Sequence, residues 1–165
     1  MAHPQDEVDR IAAAWQRERP DLDVAPLQVL SRVTRLARHL DLARRASFAA
    51  QSLETWEFDV LAALRRAGAP YSLSPGQLGT ETLVTSGTMT NRIDRLEVRG
   101  LVRREPDPSD RRGVRVMLTD SGKRAVDDAM SDFLTREHAL LDALDPADRE
   151  RLAGLLRVLV QEFGD

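Results

Sequence analysis

Between Ser74 and Leu118 the hydrophobic pattern changes its period at fixed punctuation marks, and few folds admit that order. Ser74-Pro75 is an N-cap followed by a first-turn proline, opening a short helix that ends near Thr82. Thr85 or Ser86 caps a second helix with Met89, Ile93 and Leu96 as its inward stripe, running from 86 to 99 until Gly100 stops it. Leu101 to Glu105 then reads as a short strand. Residues 106–113 form a turn-rich loop with Pro106, Pro108 and Gly113, and Val114 to Leu118 alternates as a second strand.

The flanks are helical. Residues 5–18 place Val8, Ile11, Ala12 and Trp15 on one face, and Pro20 ends that helix. A long helix from about Pro26 to Ala50 keeps Leu27, Leu30, Val33, Leu36, Ala37, Leu40 and Ala43 in helical period. Residues 54–67 are apolar on most of their circumference, which places that helix in the middle of a fold. Thr119 caps a helix to about Leu141, and Asp145-Pro146 opens the last one, to about Phe163. The expected fold class is mainly α with a small β-hairpin, a winged helix-turn-helix over residues 54–118. Residues 1–25 add a helix and linker.

The 165 residues contain no cysteine, which excludes disulfides, thiolate metal sites and a cysteine nucleophile. His3, His39 and His138 are scattered, outside any metal-ligand spacing, and Gly76 and Gly79 form no phosphate loop, so an enzyme is not expected, nor a cofactor. The acidic start lacks the apolar stretch of a secretory signal, so a cytoplasmic location is expected.

The net charge is −3, yet residues 86–115 hold eight arginines against five carboxylates. A local basic patch attracts phosphates whatever the total charge. In a winged helix-turn-helix the second helix of the pair enters the major groove with its N-terminal end at the base edges. Here that end reads Ser86-Gly87-Thr88-Met89-Thr90-Asn91, small and polar enough for close backbone approach. Ser86, Gly87, Thr88, Thr90 and Asn91 are therefore candidate DNA contacts, with Arg95 two turns along. Arg111 and Arg112 in the hairpin loop suit a narrow, electronegative minor groove. Taken singly, a Ser-Gly-Thr helix start can be mere capping, and paired loop arginines are usually solvated. A helical protein-interaction module is the rival reading, and it leaves the basic hairpin without a task.

Three segments carry a family resemblance: Ser86-Gly87-Thr88-Met89-Thr90-Asn91-Arg92-Ile93-Asp94-Arg95-Leu96, the wing Asp107-Pro108-Ser109-Asp110-Arg111-Arg112, and Leu118-Thr119-Asp120-Ser121-Gly122. Together they resemble the MarR family. The resemblance implies a homodimer joined by its N- and C-terminal helices, here residues 26–53 and 119–165. It also implies a palindromic operator, and a repressor released by a small ligand.

The extra N-terminal helix with Trp15 resembles the urate-responsive subfamily. That resemblance assigns Trp15, Asp59, Arg92 and Arg104 to a ligand pocket, and the Leu-Ser-Pro-Gly-Gln-Leu segment looks most like a citrate- and aconitate-responsive actinobacterial member. The implied effector is an anionic small metabolite: citrate or aconitate, or urate. Helical spacing separately places Asp59 (three after Trp56) and Arg92 (three after Met89) on inward faces. A buried charge needs a partner. Either these two pair with each other, or an anionic ligand binds Arg92; a regulator with no small-molecule ligand stays open.

Overall fold

The computed structural model describes residues 4–108 and 110–163, and of Arg111 and Arg112 the backbone alone. The chain divides into two compact units, residues 1–44 and 45–165.

The first unit holds helix α1 (Glu7–Glu18) and the larger part of α2 (Ala25–Ala50). Asp6 caps α1 in a reciprocal capping box with Asp9, and Val8 and Ala12 are buried. Arg32 of α2 donates to Asp6 at 2.8 Å and to Asp9 at 2.9 Å, so the cap carboxylates also fasten the two helices. The Arg32 guanidinium holds the Asp6 carboxyl below its ordinary range. Val29, Leu30, Val33 and Leu36 of α2 stay exposed.

The second unit continues with α3 (Thr55–Arg66), strand β1 (Ser72–Leu73), α4 (Pro75–Glu81), α5 (Ser86–Val98), β2 (Val102–Asp107), β3 (Asp110–Leu118), α6 (Asp120–Leu141) and α7 (Pro146–Gln161). As its composition predicts, α3 is central: Val60, Leu61 and Leu64 are fully buried, among Leu78, Met89, Ile93, Leu96, Val102, Val116 and Val126 from the elements around it. Phe48 at the end of α2 stacks on Phe58 of α3 with ring centroids 3.9 Å apart. Arg65 of α3 donates to Asp127 of α6 at 2.8 Å. None of the residues of α7 is buried, and Leu155, Val158, Leu159 and Val160 are exposed.

The sheet has three antiparallel strands in the order β1-β3-β2. It exceeds the sequence expectation in two ways. β1, with only two residues, is too short to show an alternation, and its existence depends on pairing with Met117 and Val116. The strands also extend into the expected loop: β2 reaches Asp107 and β3 starts at Asp110, with a register irregularity at Pro106/Asp107. Turn residues next to proline read as loop, but cross-strand pairing carries the ladder through them.

The cap predicted at Ser74 is present. Its hydroxyl accepts from the Gln77 N–H at 3.2 Å, and the Gln77 side chain accepts from the Ser74 N–H at 2.9 Å. Ser74→Ala is expected to lower stability by about 1 kcal/mol. That is a fall of about 2–4 °C in the thermal midpoint for a chain of this size, read by circular dichroism. Among the described residues no helix is long and apolar enough to cross a membrane.

Candidate nucleic-acid interface

The pair α4–α5 is the helix-turn-helix, and its turn is tight. The Val84 N–H donates to the Gly79 carbonyl at 3.0 Å, and a side chain at Gly79 would press on the Val84 carbonyl. Helix α5 starts at Ser86 after N-cap Thr85 and ends at Val98, one residue short of the expected Arg99, which is its C-cap. The stop at Gly100 is a Schellman motif: φ is +68°, Gly100 N–H donates to the Glu97 carbonyl at 2.9 Å, and Leu101 N–H to the Leu96 carbonyl at 3.0 Å.

The inward stripe of α5 is as expected, with Met89, Ile93 and Leu96 fully buried. The opposite face leaves Ser86, Gly87, Thr88, Thr90, Asn91 and Arg95 exposed. A side chain added at Gly87 would meet nothing, so another molecule can approach the backbone there. Thr90 donates its hydroxyl to the Ser86 carbonyl at 3.0 Å, and the hydroxyls of Thr85 and Thr88 lie 3.1 Å apart. Gly87, Thr88, Asn91, Arg92 and Arg95 join Glu54 and Trp56 around an open cleft of about 600 Å³.

Trp56 organises that cleft. The Arg92 and Arg95 guanidiniums lie over its ring at 5.5 and 4.7 Å from the centroid. Its indole N–H donates to Glu54 Oε2 at 2.8 Å, and Glu54 Oε1 accepts from Arg95 at 2.9 Å. The Trp56 hydrogen bond, then Arg95, holds the Glu54 carboxyl below its ordinary range. Helical period marks Trp56 only as an apolar residue of α3. No spacing signal ties it to arginines so far along the chain.

Of the sequence-assigned ligand residues, Trp15 belongs to the first unit, while Asp59, Arg92 and Arg104 belong to the second. Trp15 is 50% exposed, and lines an apolar hollow of about 480 Å³ with Ile11, Ala14 and Glu18. Asp59 and Arg92 are half-buried, not fully inward as the helical spacing suggested. The Arg92 guanidinium lies over the Trp56 ring at the cleft. The carboxylate that is sequestered is Glu57, 1% exposed, whose partner is Arg99. Arg104 of β2 is engaged by Asp94 and Glu97 of α5, which clamp the base of the wing to the recognition helix. Burial opposes the charge on Arg104, and the two carboxylates more than offset it.

In the wing, Arg115 reaches across to β1, donating to the Ser72 hydroxyl and carbonyl, both at 3.1 Å. Arg103 pairs with Glu105 at 2.9 Å. Gly113 is required sterically, since an added Cβ would lie 2.9 Å from Asp107 Cβ. The backbone of Arg111 and Arg112 is in β3, just beyond the tip, and their side chains lie outside the described residues.

Comparison with known proteins agrees with this architecture. The MarR family profile matches residues 51–113. The HTH-type transcriptional regulator PecS of Dickeya dadantii is 38% identical over 150 residues, covering 91% of this chain and 90% of its own. The HTH-type transcriptional repressor NicR of Pseudomonas putida is 32% identical, covering 84% and 89%. Among solved structures, BpsR of Bordetella bronchiseptica, studied for the regulation of its DNA binding by 6-hydroxynicotinic acid, is 29% identical with a TM-score of 0.57, covering 78% of this chain and 98% of that one. With a winged helix-turn-helix and full-length relatives at this identity, the chain belongs to the MarR family of DNA-binding transcription regulators, which are not enzymes.

Proposed function

We propose that this chain is a homodimeric repressor that binds a palindromic operator through the polar end of α5 and the wing arginines, and that an anionic small metabolite releases it. The observation that carries the reading is the exposed face Ser86–Asn91, with the exposed Arg95 further along the same helix. Small residues there allow backbone approach, hydroxyls and the Asn91 amide supply donors, and Arg95 supplies charge. Arg111 and Arg112 follow the wing tip, where they suit the minor groove. Uncovered apolar residues on α2 and on α7 support a dimer, since a second copy would remove them from water. Its half-sites should lie about one DNA turn, 10–10.5 base pairs, apart.

For the effector, Arg92 is the natural anion partner. It sits on the recognition helix and lines the cleft, so an anion held there acts directly on the DNA-reading element. Citrate, aconitate and urate are the candidates. BpsR, whose DNA binding is regulated by 6-hydroxynicotinic acid, supports a carboxylate-bearing effector class in a relative.

The test uses the full chain and a duplex enriched from a randomised pool. Affinity is expected to fall by about 10³-fold or more between about 50 and 200 mM salt. Arg111→Ala should weaken binding. Citrate, aconitate or urate should release the wild-type complex, and Arg92→Ala should remove the release while keeping DNA binding. Absence of duplex binding at low salt sinks the DNA reading. Release of the Arg92→Ala complex at the wild-type metabolite concentration removes Arg92 from the effector site.

A further inference from the structure

Glu54 and Glu57 stand together at the start of α3, and each engages a different arginine of the recognition helix. The two pairs differ in setting. Glu57 is buried against Arg99 and away from the cleft, so that pair is structural. Glu54 and Arg95 have side chains 59% and 54% exposed, and both line the cleft with Gly87, Thr88 and Asn91. The long cation best placed on the groove-facing side of α5 is therefore already held by an anion of its own chain.

The carboxylate is fixed there. Trp56 Nε1 anchors one oxygen at 2.8 Å while the other accepts from Arg95 at 2.9 Å. A DNA phosphate brought to Arg95 would stand within a few ångströms of this second negative charge, and like charges that close repel. Arg95 also lies over the Trp56 ring at 4.7 Å, so part of what holds the guanidinium is a cation–π contact that does not depend on the carboxylate.

We infer that Glu54 is an internal competitor of the DNA backbone for Arg95, and that binding exchanges the Glu54–Arg95 pair for an Arg95–phosphate pair. Glu54 thereby sets affinity without touching DNA. This inference rests on the reading that the polar end of α5 faces the groove.

Glu54→Gln tests it with little structural change, because the amide oxygen still accepts from Trp56 while the negative charge is gone. The probe is a duplex enriched from a randomised pool by the wild-type chain, titrated in a salt series. Glu54→Gln should bind it about two- to fivefold tighter, the scale of an exposed ion pair. Arg95→Ala should make the dependence of log affinity on log salt shallower by about 0.9 for each arginine that loses a phosphate. In the Arg95→Ala background, Glu54→Gln should change nothing.

Equal tightening by Glu54→Gln with and without Arg95 overturns the inference, because it assigns the effect to general repulsion of DNA by Glu54. Weaker or unchanged binding by Glu54→Gln overturns it as well, because Arg95 then works from its place on Glu54. A wild-type chain that enriches no duplex overturns the DNA reading itself, and this inference with it.

Discussion

Replacing Gly122 with alanine is expected to destabilise the protein by about 3 kcal/mol, the upper part of the range for forcing extra volume into a packed site. For a chain of this size that lowers the thermal midpoint by about 6–12 °C, measurable by circular dichroism or calorimetry. Gly122 lies in the first turn of α6, and an added Cβ would sit 1.9 Å from the Leu101 carbonyl oxygen and 2.9 Å from its carbon. Those are backbone atoms, so no rotamer change relieves the overlap. Nor is Leu101 free to withdraw. Its carbonyl accepts from the Thr119 N–H at 3.1 Å, the Thr119 hydroxyl donates to the neighbouring Gly100 carbonyl at 2.7 Å, and the Leu101 side chain is buried. The same hydroxyl caps α6 by accepting from the Gly122 N–H at 3.0 Å, so a shift of the helix would break the cap and the wing contact together. Gly76→Ala is the control. There the added Cβ would meet only the Ser74 hydroxyl at 3.9 Å, and the change should stay within about 0.5 kcal/mol. A Gly122→Ala midpoint within the error of wild type would show that the wing base and α6 are not locked in this way.

Gly122 also marks what the sequence makes legible. Its place in Leu118-Thr119-Asp120-Ser121-Gly122 is visible as a motif, but the reason for glycine is a neighbour distant in sequence. Local rules performed well wherever local physics decides. The cap at Ser74, the stripe Met89–Ile93–Leu96 and the stop at Gly100 all follow from helix period and terminus chemistry. Rules failed where long-range pairing decides. Two residues of β1 exist as a strand only because β3 lies beside them, and Asp107 and Asp110 pair across a tip that reads as loop. The candidate interface divides the same way. Its polar face could be read from α5 alone, whereas Trp56 and Glu54, which organise the arginines, come from a helix some forty residues earlier. Apolar spacing also overstates the burial of Asp59 and Arg92, both of which are half-buried.

The sequestered charge is Glu57, and its partner should prove costly to remove. Arg99→Ala is expected to destabilise the chain by about 2–3 kcal/mol. Stripping one member from a fully buried ion pair costs about 3–5 kcal/mol, and the 37% exposure of Arg99 lets water reach the site and reduces that loss. Glu57 is 1% exposed and among the described residues keeps one other donor, the Glu54 N–H at 2.9 Å, which satisfies a single lone pair and supplies no full charge. Arg99 also donates to the Ser52 carbonyl at 2.8 Å, so its loss frees the corner between α2 and α3 from the end of the recognition helix. Glu57→Gln separates the two effects. The neutral amide still accepts from Glu54 and has no charge to strand, so combined with Arg99→Ala it should recover part of the lost stability. A double-mutant cycle should give a coupling of about 1 kcal/mol or more. Full additivity of the two substitutions in denaturant unfolding would mean that the pair contributes packing and not charge.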